Sequence, residues 1–420
     1  MPLASNPGLD LLDPFSVELF FAGVALFAAI GALSYEGERP FSASIVYLAL
    51  GLLAAVAVNL LDVRWIDPFE DTALLEHLTE VALVVALFAS GLRISDSPTW
   101  GRWRGVVVLI VIVMPLTIAG VAAFGVWAMG LPLAVAVLLG SALAPTDPVL
   151  AGGVGLAAPG ERGEESDARF NLTTEASAND ALAAPFVLLG LFMVDEDGAG
   201  WLLEWALADL IYASVLAAAV GAALGWGMGW LAARMRERKL LSGELDGFLV
   251  IGIVLLVYGL ADSLDSYGFL AVFVAGVGFR RYEAGHEYNR RAHDGAQVAQ
   301  NFLELAVILL LGSLVTFDGL EAPGVAGWLL VPLLLGVLRP ALTLAFLRPS
   351  WMPVRETLFV GLLGVKGVAT IYYAAIVLGE GVLDDGQEFT LFWTASVTVM
   401  ASIVIHGAAA DALDRRLLRR

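Results

Sequence analysis

Five ionisable side chains stand in stretches too apolar to carry charge without a purpose. Asp147 lies in "LAPTDPVLA" (143–151), between Pro145 and Pro148. Glu175, Asn179 and Asp180 share "TEASANDA" (174–181). Arg339 belongs to "LRP" (338–340) and Lys366 to "GVKGVAT" (364–370). Carboxylates and backbone carbonyls are the oxygen ligands that hard cations prefer. A shielded carboxylate can also hold a proton. These residues could together form a site for a cation or a proton. Cysteine is absent and the four histidines are scattered. No thiolate chemistry, resident metal centre or cofactor is therefore expected.

These residues sit in a chain that is 59% hydrophobic and 15% charged, against about 25% charged in soluble domains. The apolar runs are long enough to cross a bilayer, which takes about 20 residues. We read thirteen spans: 16–34, 42–62, 72–92, 104–129, 131–153, 169–194, 201–233, 245–262, 267–282, 298–317, 325–347, 354–378 and 387–411. Of the 23 Lys and Arg residues, 20 fall after odd-numbered spans or at the C-terminus, and only Arg64 lies on the other side. Arg339 and Lys366 are inside spans. Basic residues stay on the cytoplasmic side, so the N-terminus is expected outside and the C-terminus inside a cytoplasmic membrane. The hydrophilic stretches 155–168 and 281–297 read as loops, and the chain as one multi-pass domain. The net charge is -19 and no basic block is present, so nucleic acid is not an expected partner; the lipid bilayer is.

Depth brings the charges together. Asp147, Asp180, Arg339 and Lys366 lie about 16, 11, 14 and 12 residues into their spans, or about 16–24 Å at ~1.5 Å per residue. Glu175 is shallower, at about 9 Å. The hydrocarbon core is about 30 Å thick. A lone charge at its centre costs at least ~2.5–3.5 kcal/mol, so such residues pair and carry function. Pro145 and Pro148 interrupt span 5, and Gly361, Gly364 and Gly367 make span 12 interruptible. Spans 5 and 12 are each the fifth of a six-span set (1–6 and 8–13), and the two sets run in opposite senses. This predicts an all-α polytopic protein built as two inverted six-helix repeats, with two crossing broken helices at the ion site. There Asp147 would offset helix N-termini and Lys366 helix C-termini.

The four quoted motifs, in this order and orientation, resemble the monovalent cation/proton antiporters of the NhaP and sodium/proton-exchanger type, over nearly the whole chain. The resemblance implies a secondary antiporter working by alternating access, with Na+ the first choice of cation, Li+ as well, and a K+/H+ antiporter of the same fold as the alternative. It implies a core of helices at 104–194 and 325–411, dimerisation helices at 16–92 and 245–317, a linker at 201–233, and a homodimer. Asp180 then matches the central ion- and proton-binding aspartate. Asp147 and the Thr146 carbonyl match ligands of the transported ion. Glu175, also in that acidic set, matches an acid paired with Arg339, and Asn179 marks the electroneutral branch. Two positions depart from the family pattern. Ala176 stands where relatives often carry a serine ligand, and Lys366 where many have arginine.

Two other classes fit less well. An intramembrane aspartyl protease needs two carboxyls sharing a proton, but the context of Asp180 is "SAND". A channel needs several weak sites in series, not one buried cluster. No enzymatic activity is expected. Glu76 and Glu80 read as interfacial acids, His286 and His293 as loop histidines, and Met228 and Trp230 as packing and lipid contacts.

Overall fold

The computed structural model describes residues 43–61, 65–94, 99–147, 166–196, 200–241, 246–282, 288–347 and 351–418, with the single positions 23, 24, 27, 156 and 198. Most of the expected first span, and Pro148 and His286, lie outside the described residues.

In lipid every backbone N–H and C=O must be satisfied within the protein, which leaves helices as the economical solution. Among the described residues the regular structure is entirely helical. In chain order the helices are α1 (Ala43–Leu61), α2 (Thr72–Arg93) and α3 (Trp100–Ala128). Then come α4 (Leu133–Leu143), α5 (Asp167–Asp195), α6 (Trp201–Glu237), α7 (Asp246–Asp262) and α8 (Gly268–Tyr282). The chain continues through α9 (Tyr288–Ser313), α10 (Phe317–Glu321), α11 (Gly324–Phe346), α12 (Val354–Leu362), α13 (Val368–Glu380) and α14 (Asp385–Leu417). Eight helical stretches among the described residues are long and apolar enough to cross a membrane. Leu60, Val111, Trp127, Tyr212 and Phe248 are exposed on the outside of the bundle. The polar residues Thr146, Glu175, Asn179 and Lys366 are buried inside it. That distribution suits a polytopic membrane protein.

Small residues let the helices approach, as is common in membranes. Gly91 of α2 faces Gly276 of α8 so closely that a Cβ on Gly91 would lie 2.9 Å from the Gly276 Cα and 2.6 Å from the Phe273 carbonyl.

One expectation needs correcting. The stretch 281–297 is not all loop, because α9 begins at Tyr288. His293 is thus a helical residue, 2% exposed, with Nε2 3.3 Å from the Arg93 Nε. The helix continues past the apolar segment because its first turns pack on the end of α2, where Arg93 donates to Gln297. A hydropathy reading sees only the polarity of those turns.

The interruptions are where proline and glycine placed them. α4 stops at Leu143 and the chain runs without helix through Pro145, Thr146 and Asp147. The span predicted at 354–378 is two helices, α12 and α13, with Gly364–Gly367 between them. α5 is interrupted at Ala183, just before Pro185. α11 widens into a π-helical segment, Leu333–Leu338, between Pro332 and Pro340. Arg339 follows at the end of that segment, and such widened turns often mark functional positions.

Candidate ion site

The two broken spans meet. The Asp147 N–H donates to the Val365 carbonyl at 2.7 Å, joining one break to the other. The Lys366 Nζ donates to the carbonyls of Ala144 (3.1 Å) and Pro145 (3.0 Å). These carbonyls end α4 and have no helical donor of their own. A fully buried ammonium therefore caps the negative end of α4. The expectation that Lys366 would offset a helix C-terminus thus has a specific geometry.

α5 supplies the acids. Glu175 and Asn179 are four residues apart and share a helix face. The Asn179 Nδ2 donates to Glu175 Oε1 (2.8 Å) and to Thr146 Oγ1 (2.9 Å). Its Oδ1 accepts from the Thr146 N–H at 3.1 Å. Arg339 grips Glu175 with two nitrogens, NH1 to Oε1 at 3.3 Å and NH2 to Oε2 at 2.9 Å. The Thr146 hydroxyl lies 3.5 Å from Glu175 Oε2. Glu175 is thereby surrounded by donors from α11, α5 and the α4 break. The planar guanidinium matches the carboxylate, which is what makes arginine the residue for a buried pair. Gly364 makes room for it: a Cβ there would run into the Arg339 Nε and Cδ.

Asp180 is different. It is 8% exposed, and its buried Oδ1 has no hydrogen-bond partner among the described residues. An acceptor left this way is costly, so the position invites a proton or a cation. Asp147, Glu175, Lys366 and Glu304 are the charged groups whose fields reach it. Its backbone is held more firmly than its side chain. The Tyr373 hydroxyl, from α13, donates to the Asp180 carbonyl at 2.6 Å. That hydroxyl gives the Asp180 carbonyl a donor at the interruption of α5.

Of the residues singled out from the sequence, Pro145, Thr146, Asp147, Glu175, Asn179, Asp180, Arg339 and Lys366 gather in this one region. Pro148 falls outside the described residues. Several residues here carried no earlier assignment. Glu304 of α9 is buried and accepts from Gln300 at 2.7 Å. As an acid within span 10, a stricter search for charges inside spans would have found it. Tyr373, Ser402 and His406 have no comparable signal, although Ser402 and His406 share a face through their i, i+4 spacing. Glu80 accepts from the Tyr258 hydroxyl, so it is packed against α7 as well as lying near a helix end.

The family described as "Sodium/hydrogen exchanger, transmembrane" matches residues 20–413. A Na(+)/H(+) antiporter of Saccharomyces cerevisiae is 27% identical over 397 residues, covering 88% of this chain and 39% of the yeast protein. The K(+)/H(+) antiporter NhaP of Alkalimonas amylolytica is 26% identical over 419 residues, covering 97% of this chain and 68% of that protein. This chain thus spans well under half the length of the yeast relative and about two thirds of the bacterial one. Among solved structures, the sodium proton antiporter MjNhaP1 of Methanocaldococcus jannaschii at pH 8 superposes with a TM-score of 0.71 at 18% identity. That match covers 94% of this chain and 100% of the other, and at this identity it speaks for the fold alone.

Proposed function

Because this chain belongs to the transmembrane sodium/hydrogen exchanger family, we propose that it exchanges a monovalent cation, Na+ first and Li+ as well, for H+ by alternating access. One observation carries the reading. In a cluster where Glu175, Asn179, Lys366 and the two terminal nitrogens of Arg339 are tied to partners, the Asp180 carboxylate keeps a buried oxygen without one among the described residues. Asp180 is the carrier in this reading. Asp147 and the Thr146 carbonyl complete the oxygen set for the transported ion. Glu175 and Arg339 hold the frame, with Asn179 tying Thr146 to it.

The cycle follows from charge. Glu175 with Arg339 is neutral, and Asp147, Asp180 and Lys366 together leave one net negative charge. A charge inside a membrane is expensive to move. One proton or one cation neutralises the site, so both loaded forms cross cheaply and the empty form does not. Exchange is then obligatory and electroneutral, one for one. No cofactor and no enzymatic step enter this reading.

The architecture we infer is thirteen spans in two inverted repeats, with the N-terminus outside and the C-terminus inside the cytoplasmic membrane. Contacts at helix ends support the alternation. Arg102 at the start of α3 pairs with Asp167 at the start of α5, and Arg169 pairs with Asp414 near the end of α14. Helices 104–194 and 325–411 form the moving core in this reading. Helices 16–92 and 245–317 form the dimerisation scaffold of a homodimer, and 201–233 the linker. Potassium is the second reading, supported by the similarity to a K(+)/H(+) antiporter NhaP.

The experiment is ion-driven proton flux in reconstituted vesicles, with Na+, Li+, K+ or choline added in turn. Flux with Na+ and Li+ but not choline supports the reading, and K+ alone selects the second. Asp180→Asn should abolish flux in protein that still folds. Persistent Na+-driven flux in that variant would remove Asp180 from the carrier role.

A further inference from the structure

The break between α12 and α13 has its own hydrogen-bond account. In an uninterrupted helix the Lys366 N–H would donate to the Leu362 carbonyl, four residues back. Here the Lys366 N–H donates instead to Ser402 Oγ of α14, at 2.8 Å. The Leu362 carbonyl is met by His406 Nε2, also of α14, at 2.8 Å. Ser402 and His406 are four residues apart on one face, and Ser402 Oγ lies 3.0 Å from His406 Nδ1. The missing backbone bond is thus replaced by a chain: Lys366 N–H, Ser402 hydroxyl, His406 imidazole, Leu362 carbonyl.

The roles in this chain follow from what each atom can do. A carbonyl only accepts, so Nε2 carries a proton. Nδ1 also lies 2.9 Å from the Ser402 carbonyl. In a neutral ring Nδ1 accepts a hydrogen bond from the serine hydroxyl; in a charged ring Nδ1 donates to serine oxygen. The chain from Lys366 to Leu362 closes in either state. Ser402 is fully buried and His406 nearly so, so water does not compete easily for these groups, and lipid offers no substitute.

We propose that Ser402 and His406 are positioning residues of the transport site. They splint the break so that the Lys366 backbone is fixed and its side chain falls on the Ala144 and Pro145 carbonyls. Through those carbonyls the splint sets the stretch that carries Thr146 and Asp147. The Tyr373 hydroxyl serves the interruption of α5 in a related way, by donating to the Asp180 carbonyl. α14 is therefore more than packing for the core: it supplies the bond that span 12 gives up in order to break.

Two measurements on the full chain test this. Only the second rests on the exchange reading above. The first is hydrogen–deuterium exchange of the amides in 363–367 in detergent-purified protein. Loss of one such bond should speed exchange at Lys366 up to about tenfold. Ser402→Ala and His406→Leu should show it. Ser402→Thr, which keeps a hydroxyl, and His406→Gln, which keeps a donor and an acceptor, should return it most of the way. The second is vesicle flux, in which Ser402→Ala and His406→Leu should weaken apparent cation affinity several-fold more than they lower the maximal rate, with the same two rescues. If His406→Leu does not fold, the serine pair decides alone. Wild-type amide exchange in Ser402→Ala overturns the splint, as does failure of both conservative variants to restore protection. Faster amide exchange with unchanged cation affinity overturns its positioning role. If the wild-type chain moves no cation under any condition but the amide results hold, the exchange reading fails and the splint stands.

Discussion

The ammonium of Lys366 reaches the carbonyl of Pro145 at 3.0 Å, so a side chain from one broken span terminates the helix of the other. Neither break is self-sufficient. The α4 carbonyls need the lysine, and Val365, next to it, needs the Asp147 N–H. This mutual satisfaction is the condition on which non-helical backbone survives at membrane depth.

Replacing Lys366 by Met keeps the stem and deletes the donor. Two buried carbonyls then lose a charged partner, and stability should fall by about 1–3 kcal/mol. Lys366→Arg retains the charge, but its fork must reach a site shaped for a point donor. We expect Arg to recover less than half of the loss, read as thermal unfolding in detergent.

Glu175 and Arg339 should behave as one unit. Removing either partner leaves the other charge buried, at a cost of about 3–5 kcal/mol. Glu175→Gln and Arg339→Gln should each lower the unfolding temperature, and the double variant should lose clearly less than the sum. Strict additivity would mean that the two do not interact.

Gly364 is set by the space Arg339 occupies. Gly364→Ala should push the guanidinium away from Glu175 and destabilise the protein by about 1–3 kcal/mol, as overpacking does. The check is coupling: in an Arg339→Ala background, which removes the obstructing Cδ and Nε, the same glycine change should cost much less.

In the proposed cycle Asn179, being neutral, keeps the charge count at one net negative. Exchange should therefore be insensitive to voltage imposed by potassium and valinomycin in vesicles driven by sodium. Asn179→Asp would put a second carboxylate where the amide nitrogen now stands, 2.8 Å from Glu175 Oε1. With an extra negative charge, the loaded site no longer balances, and transport should become voltage-dependent. A steady current from the unmodified chain would refute one-for-one exchange.

Some of this molecule was written in local sequence. Apolar runs report the free energy of placing each segment in lipid, and that quantity depends on neighbours in the chain. Most of the expected spans from 42 onward therefore coincide with helices among the described residues, eight of them long and apolar enough to cross a membrane. Pro145 predicts the end of α4, and the glycines around Lys366 predict the gap after α12, because proline lacks an N–H and glycine resists helix. The meeting of Glu175 and Arg339 was legible through the family resemblance and not through depth, because Glu175 reads as shallower than the other four charges. The polar start of α9 was misread for the same reason that the rest succeeded: polarity marks the membrane boundary, not the end of a helix. Tertiary structure alone decided what closes the breaks. Tyr373, Ser402 and His406 look like ordinary residues of apolar helices until α13 and α14 pack beside the interruptions. A freed carbonyl or N–H accepts whichever donor or acceptor arrives within about 3 Å, and arrival at that distance depends on how segments distant in sequence pack, which no local pattern encodes.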